Sequence, residues 1–263
     1  MNNWWKNYFA EAWPTLYATA KTAEETALEV DFIEELIANH DLDGRLYFNP
    51  RLAGISLLDV PCGYGRMSLE LAERGYKVCA FDYDKKALDS LQQKANDKRI
   101  ILDLEQGDMR AMTFEKRFDW VLCPFNSFGY FADRENENFL KSAHRALKKR
   151  GSLLLNMHIL ESLLVHITPQ AFWQVKDANG LTISVLEQRY FEHKTSRLES
   201  TWTVLRPQME AQIFETSTRI YSYLELVTLL EKVGFEVINA FGDFTGKGFE
   251  LGDEEVILLM RKC

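Results

Sequence analysis

The stretch Leu57-Leu58-Asp59-Val60-Pro61-Cys62-Gly63-Tyr64-Gly65-Arg66 constrains this chain more than any other. An apolar run, Ile55–Val60, carries one acid and breaks into a turn with two glycines. A helical pattern, Arg66–Arg74, follows and is stopped by Gly75. A buried strand, a glycine turn and a helix form the opening of a βαβ unit, where a ligand can approach bare backbone. The same alternation then repeats. Lys77–Phe81, Ile100–Leu104, Asp119–Pro124 and Ser152–Met157 read as strands. Asp84–Asn96 reads as a helix with Ala87, Leu88, Leu91 and Ala95 inward, and Glu135–Lys148 as a helix with Phe139, Leu140, Ala143 and Leu147 inward. Strands alternating with helices predict a parallel sheet covered on both faces.

Both flanks differ from this core. Thr22-Ala23-Glu24-Glu25 is a capping box, and Leu28, Phe32, Ile33, Leu36 and Ile37 then mark one helical face. From Leu181 to Tyr221 no helical period appears. Leu181, Ile183 and Val185 alternate, while Thr201–Leu205 and Ile213–Tyr221 are rich in β-branched and aromatic residues. Two or three antiparallel strands are expected there. Ser222-Tyr223-Leu224-Glu225 opens a further helix that Gly234 caps, and Glu236–Phe241 with Glu254–Arg261 should close the sheet as an antiparallel hairpin. There are no repeats and no Pro/Gly-rich linker. The expectation is one domain: a helical N-terminal lid over residues 1–45, a core over 50–158, an antiparallel insertion over 175–221, and a C-terminal helix and hairpin over 222–263.

Composition narrows the partners. With 31 Lys and Arg against 39 Asp and Glu, the formal net charge is -8, which disfavours a phosphate backbone. The densest basic run, Ala146-Leu147-Lys148-Lys149-Arg150, falls at the expected helix end, where cations suit the dipole. The four cysteines, Cys62, Cys79, Cys123 and Cys263, have neither metal-ligand nor redox spacing. Cys79 and Cys123 read as small core residues. Their use fits a reducing compartment. The N-terminal stretch lacks the apolar core of a signal peptide, and Leu153–Ile167 is interrupted by Asn156, His158, Glu161 and His166. A cytoplasmic protein that contacts neither nucleic acid nor membrane is expected.

A parallel sheet binds its ligand at the carboxyl ends of its strands. A dinucleotide fingerprint would need a third glycine at position 68, which is Ser68. Asp59 is also a poor neighbour for a pyrophosphate, and suits a cation or an amine. Asp82, which ends the second strand, can accept from a ribose diol. Asp108, after the third strand, can accept from an adenine amine. S-adenosylmethionine combines an adenine, a ribose and a cationic, amine-bearing arm, and it carries no phosphate.

Here the chain resembles the class I S-adenosylmethionine-dependent methyltransferases, small-molecule type. The segments LLDVPCGYGRMSLELAERGYKVCAFDYD, GDM and FDWVLCPFNSFGYF carry the resemblance. RIYSYLELVTLLEKVGF and FGDFTGKGF extend it, so that it covers about residue 22 to the end. Pro61, Tyr83 and Lys149-Arg150-Gly151 depart from the commoner family residues. The resemblance implies a Rossmann-like α/β fold with a seven-stranded, mostly parallel sheet whose last strand is antiparallel. It implies that Asp59, Gly63 and Gly65 hold the methionine half, Asp82 the ribose, and Asp108 with Met109 the adenine. Arg66, Tyr83 and Phe125 join the cofactor set by position. In resembling enzymes the N-terminal region lids the cofactor, so Tyr17 or Lys21 is expected near the methionine carboxylate.

Methyl transfer from a sulfonium needs alignment and dryness, and no metal. A base helps where the acceptor must lose a proton. Strand four leads into Phe125-Asn126-Ser127-Phe128-Gly129-Tyr130-Phe131, whose polar handles include Tyr130. Strand five ends at His158, and histidine is the side chain suited to proton transfer near neutrality. Tyr130 and His158 are the catalytic candidates; Phe128 and Phe131 read as core. Trp4, Trp5, Tyr8, Phe9, Trp13 and Tyr17 should pack the lid on the body. The insertion should cover an acceptor pocket, with Glu187, Arg189, Tyr190, Trp202, Arg219 and Tyr221 as its polar and aromatic candidates. Arg219 and Tyr221, two apart on one strand, would together suit an acidic acceptor. Insertion strands that pair across a two-fold axis would make a homodimer. The expected activity is methyl transfer to an oxygen or nitrogen of a small molecule. The alternatives are a nicotinamide-dependent (NAD) oxidoreductase, which Ser68 and Asp59 count against, and a non-catalytic S-adenosylmethionine-binding protein. A further alternative is an RNA or protein methyltransferase; the charge argues against RNA, and Cys123-Pro124-Phe125-Asn126 stands in place of the Asn/Asp-Pro-Pro-Tyr motif of many base-amine methyltransferases.

Overall fold

The computed structural model describes residues 3–17, 21–39, 54–176 and 180–263. At the N-terminus, α1 (Trp4–Asn7), a π-helical turn (Tyr8–Ala12) and α2 (Trp13–Tyr17) run on from one another. The helix α3 (Ala23–Asn39) starts at its capping box, in which Glu25 N–H donates to Thr22 Oγ1 at 3.1 Å and Thr22 N–H to Glu25 at 2.7 Å. The core follows as β1 (Ser56–Asp59), α4 (Arg66–Glu73), β2 (Lys77–Asp82), α5 (Lys85–Lys98), β3 (Asp103–Gln106), β4 (Phe118–Cys123), α6 (Asp133–Ala146) and β5 (Leu147–Met157). After α7 (Leu160–His166) come β6 (Gln170–Lys176), β7 (Thr182–Glu192), β8 (Arg197–Leu205) and β9 (Gln212–Arg219). The chain closes with α8 (Tyr223–Val233), β10 (Phe235–Phe241) and β11 (Val256–Lys262).

The main sheet has seven strands in the order β10-β11-β5-β4-β1-β2-β3, parallel except where β11 pairs antiparallel with β5 and with β10. Successive residues of its central strands point to opposite faces. Leu58 and Val121 therefore pack with Phe139, Leu140 and Leu226 of α6 and α8, while Leu57 and Leu122 pack with Val30, Ile33 and Leu71 of α3 and α4. All of these are fully buried, and each contributes about 1.5–3 kcal/mol through burial. A second, four-stranded antiparallel sheet has the order β6-β7-β8-β9. Ile183, Val185, Val204 and Phe214 on its inner face pack against Tyr8, Ala12 and Leu16, which joins the N-terminal helices to the insertion.

Several sequence expectations need correction. The insertion has four strands and begins at Gln170, because Gln170–Lys176 pairs along its whole length with Thr182–Gln188. Strand β3 starts at Asp103; α5 runs on to Lys98, Arg99 caps it with φ +59, and Ile101 is left 93% exposed. The basic run after Ala146 lies in β5, where Lys148 pairs with Asp119 at 2.7 Å. Leu28 is exposed, and Val30 takes its place on the buried face of α3. The expected lid boundary at residue 45 lies outside the described residues. No helix among those described is long and apolar enough to cross a membrane.

Candidate active site

The turn after β1 has both glycines in the left-handed region, Gly63 at φ +53 and Gly65 at φ +75. At Gly65 a Cβ would stand 2.3 Å from Leu91 Cδ1, so this glycine lets α5 pack directly on the turn. At Gly63 a Cβ would meet nothing within 4 Å. That open side faces a cavity of about 660 Å³ over the carboxyl ends of β1 to β5. The N-terminal helices and the inner face of β7–β9 form its other walls.

Three acids border the cavity at three strand ends. Asp59 is 1% exposed and accepts a 2.6 Å hydrogen bond from Ser68 Oγ. Position 68 thus steadies the acid where a dinucleotide fold would have its third glycine. Burial pushes the Asp59 carboxyl up to about 6, against the pull of the Ser68 hydroxyl and the Arg66 charge. Asp82, 9% exposed, accepts from Gly63 N at 2.7 Å and from Asp84 N at 2.9 Å. Burial raises its pKa despite those two donors. It is therefore the strut that holds the glycine turn against β2. Asp108 differs: its carboxylate is gripped by Arg110 at 2.6–3.1 Å, and Arg110 also reaches Glu135 at 2.5 Å and lies over the Phe131 ring. Partial burial opposes its charge, and the Arg110 hydrogen bonds overcome that, holding Asp108 below the usual carboxylate range.

Arg66 opens α4 and points away from the turn toward α3, bonding Glu29 at 2.5 Å and Thr26 at 3.2 Å, with its guanidinium 5.2 Å from the Phe125 ring centroid. Lys21 lies 3.4 Å from the same Glu29. Tyr83 is 44% exposed, with Trp5 against its ring at 4.9 Å. Met109 is buried in the core and also lines the cavity. The side chain of Tyr17 lies outside the described residues.

The β4 and β5 ends are stitched together by two asparagines. Phe125 N–H donates to Asn156 Oδ1 at 2.9 Å, and His158 N–H donates to Asn126 Oδ1. Phe125 and Asn126 both hold positive φ, +61 and +55, so the loop is strained where it meets the cavity. His158 lines the cavity, and its Nδ1 lies 2.9 Å from the Glu254 carbonyl. A carbonyl only accepts, so Nδ1 donates in this contact, and in the neutral ring the lone pair is on Nε2. Tyr130 lies between Trp4 and Phe9, and burial raises its phenol well above the ordinary value. Phe128 and Phe131 are core residues.

On the insertion, Glu187, Arg189 and Trp202 line the cavity, joined by Ser200, Thr216 and Thr218, which the sequence did not single out. Their alternation along β8 and β9 was the available signal. Tyr190 is 60% exposed on the opposite face of β7. Arg219 and Tyr221 are not cavity residues. Arg219 pairs with Asp133 and Glu225, both at 3.1 Å, and Tyr221 lies beyond β9, bonding Asn136 and Asp133 at 3.1 Å. They fasten the insertion to α6 and α8, which removes the cationic face expected for an acidic acceptor.

The lining suits an adenosyl sulfonium. It has open space at Gly63, two buried carboxylates that a nearby cation would favour, and the buried Trp4 indole N–H, which has no partner among the described residues. Comparison with known proteins agrees. Residues 57–151 match the family model for a methyltransferase domain. The chain is 32% identical over 251 residues to a cypemycin N-terminal methyltransferase of a Streptomyces species, covering 91% of this chain and 97% of that one. It is 24% identical over 239 residues to a glycine/sarcosine N-methyltransferase of Parasynechococcus marenigrum, covering 90% and 77%. Its fold matches an S-adenosylmethionine-dependent methyltransferase from Clostridium acetobutylicum with a TM-score of 0.76 at 17% identity, over 98% of each chain. These matches set aside the oxidoreductase alternative, and the chain belongs to the class I S-adenosylmethionine-dependent methyltransferases.

Proposed function

We propose that this enzyme methylates an oxygen or nitrogen of a small molecule seated beneath β7–β9. One observation carries the reading: a single cavity runs from the strand-end acids Asp59 and Asp82 to Tyr130, Glu187 and Trp202. Its far end therefore has room and polar groups for an acceptor. In this reading Asp59 and the backbone of Gly63 hold the methionine amine, and Gly65, whose backbone bonds Cys62 and Leu69, shapes the turn. Arg66, with Lys21 beside it, supplies positive field for the methionine carboxylate. Asp82 takes the ribose hydroxyls through its remaining lone pairs, and Tyr83 and Phe125 flank the cofactor. Met109 borders the adenine beside Asp108, whose carboxylate Arg110 fixes.

S-adenosylmethionine bound there supplies a methyl group on a sulfonium, which passes to the acceptor's lone pair while sulfur keeps the bonding electrons. His158 Nε2, left basic by the Glu254 carbonyl, accepts the proton that the acceptor gives up. The Tyr130 phenol stays protonated through burial and orients the acceptor by donating a hydrogen bond. The aromatic lid keeps water out. The names of the cypemycin and glycine/sarcosine relatives favour nitrogen as the acceptor atom.

The test is transfer of labelled methyl to pooled amines and phenols by the wild type, Tyr130→Phe and His158→Gln, with S-adenosylhomocysteine binding as control. Loss of transfer with binding intact supports the two roles. Full activity in both variants refutes them, and binding with no transfer to any acceptor favours a cofactor-binding protein. A homodimer belongs to the same proposal, with the edge strands β6 and β9 as its pairing surfaces, and sedimentation analysis tests it.

A further inference from the structure

The inner face of the insertion is apolar under the lid helices and then changes character. Along β7, Ile183 and Val185 are buried against Tyr8 and Leu16, and the next residue on that face is Glu187. It is 6% exposed, where the alternation calls for another apolar side chain. A carboxylate in such a place costs folding free energy unless something it binds repays it. Trp202 stands directly across from it on β8, and Tyr8 packs on Trp202 with ring centroids 5.4 Å apart. The Tyr8 phenol is near enough to feel the Glu187 charge. Glu187 therefore belongs to the end of the cavity that holds the acceptor candidates.

Its protein partners leave it capacity. Arg189 Nη1 is 3.7 Å away, too far for a hydrogen bond, and the rest of that guanidinium is held by Thr168, with Nε on the carbonyl at 2.8 Å and Nη2 on the hydroxyl at 3.0 Å. Burial raises the Glu187 pKa, while Arg189 and the Ser200 hydroxyl favour the charged form. A carboxylate with free lone pairs beside Tyr8 and Trp202 rings is the setting that binds an alkylammonium group.

We propose that Glu187, backed by Tyr8 and Trp202, recognises a cationic amine on the acceptor, so that the acceptor is an amine rather than a carboxylate or phenolate. The proposal rests on the cavity being the methyl-transfer site. The charge logic is directional. Once His158 has taken a proton from the bound ammonium, the neutral nitrogen's lone pair takes the methyl and the nitrogen regains its positive charge, which a nearby carboxylate stabilises. An anionic oxygen would have to approach Glu187 against repulsion.

The test is calorimetry on the protein saturated with S-adenosylhomocysteine, using benzylamine, benzyl alcohol and benzoate as probes of one shape. Benzylamine is expected to bind at least about tenfold more tightly than either isostere. Glu187→Gln should weaken benzylamine by about 10- to 100-fold and leave S-adenosylhomocysteine affinity unchanged. Its melting temperature should be equal or higher, because a buried charge is removed, and this keeps the result independent of misfolding. Equal benzylamine affinity in the variant, tighter binding of benzoate, or failure of benzylamine to bind the saturated protein overturns the proposal. Failure of S-adenosylhomocysteine to bind the wild type instead refutes the methyl-transfer reading beneath it.

Discussion

Cofactor binding should be linked to a proton on Asp59. Burial moves this carboxyl from 3.8 to about 6. That shift amounts to about 3 kcal/mol by which burial disfavours the ionised form. The Ser68 hydroxyl and Arg66 offset part of the burial, and Asp82 nearby adds to it. The ammonium of a bound methionine moiety would favour the ionised form and return Asp59 toward its ordinary value. Affinity for S-adenosylhomocysteine should therefore rise about tenfold per unit between about pH 4 and pH 6, up to about 100-fold in all. It should level off above pH 6 and decline only at the higher pH where the ligand's own amino-acid ammonium loses its proton. The ligand's carboxyl titrates below this window and does not confuse it. At pH 5 close to one proton should be released per ligand bound. Calorimetry at pH 5 in acetate and in piperazine, whose ionisation enthalpies differ, measures that proton directly. Asp59→Asn should abolish both the release and the slope. Affinity independent of pH between 4.5 and 6.5, or the same release in Asp59→Asn, would refute the reasoning.

Other outcomes follow from the same geometry. Because the folded pKa of Asp59 lies above the unfolded one, its charge destabilises the protein without ligand as pH rises through about 6. Asp59→Asn should thus raise the melting temperature by several degrees at pH 7, with the difference vanishing near pH 4. Gly65→Ala puts a Cβ against Leu91 and strains a residue at φ +75, so it should cost about 1–3 kcal/mol in denaturant unfolding. Gly63→Ala meets no protein atom. It should weaken S-adenosylhomocysteine binding in calorimetry by more than its backbone strain alone lowers the melting temperature.

The core was legible because its signals are local. Apolar runs, the Thr22 and Ser222 capping boxes and the Gly75 and Gly234 stops depend on near neighbours, and they placed the βαβ order and the hairpin. The three acids could be placed because each ends or follows a strand, and strand ends in a parallel sheet share one rim. What the rim acids do was less legible. Asp108 is bound by Arg110, two residues on, and Asp82 doubles as a strut for Gly63, contacts that spacing does not reveal. The first insertion strand was missed because Phe172 and Trp173 sit among polar neighbours in an edge strand with little buried pattern. Arg219 and Tyr221 were misjudged because strand alternation assigns a face but not a neighbour. Only the fold brings Asp133, 86 residues away from Arg219, to meet it.

The central claim is that the rim of β1 to β4 binds a methyl donor through Asp82 and the turn it supports. Calorimetric titration of the wild type and Asp82→Ala with S-adenosylhomocysteine, and separately with NAD, tests it most directly. Micromolar binding of S-adenosylhomocysteine that falls by tenfold or more in the variant, with no binding of NAD, is the expected result. Undiminished binding in Asp82→Ala, or binding of NAD alone, would contradict it.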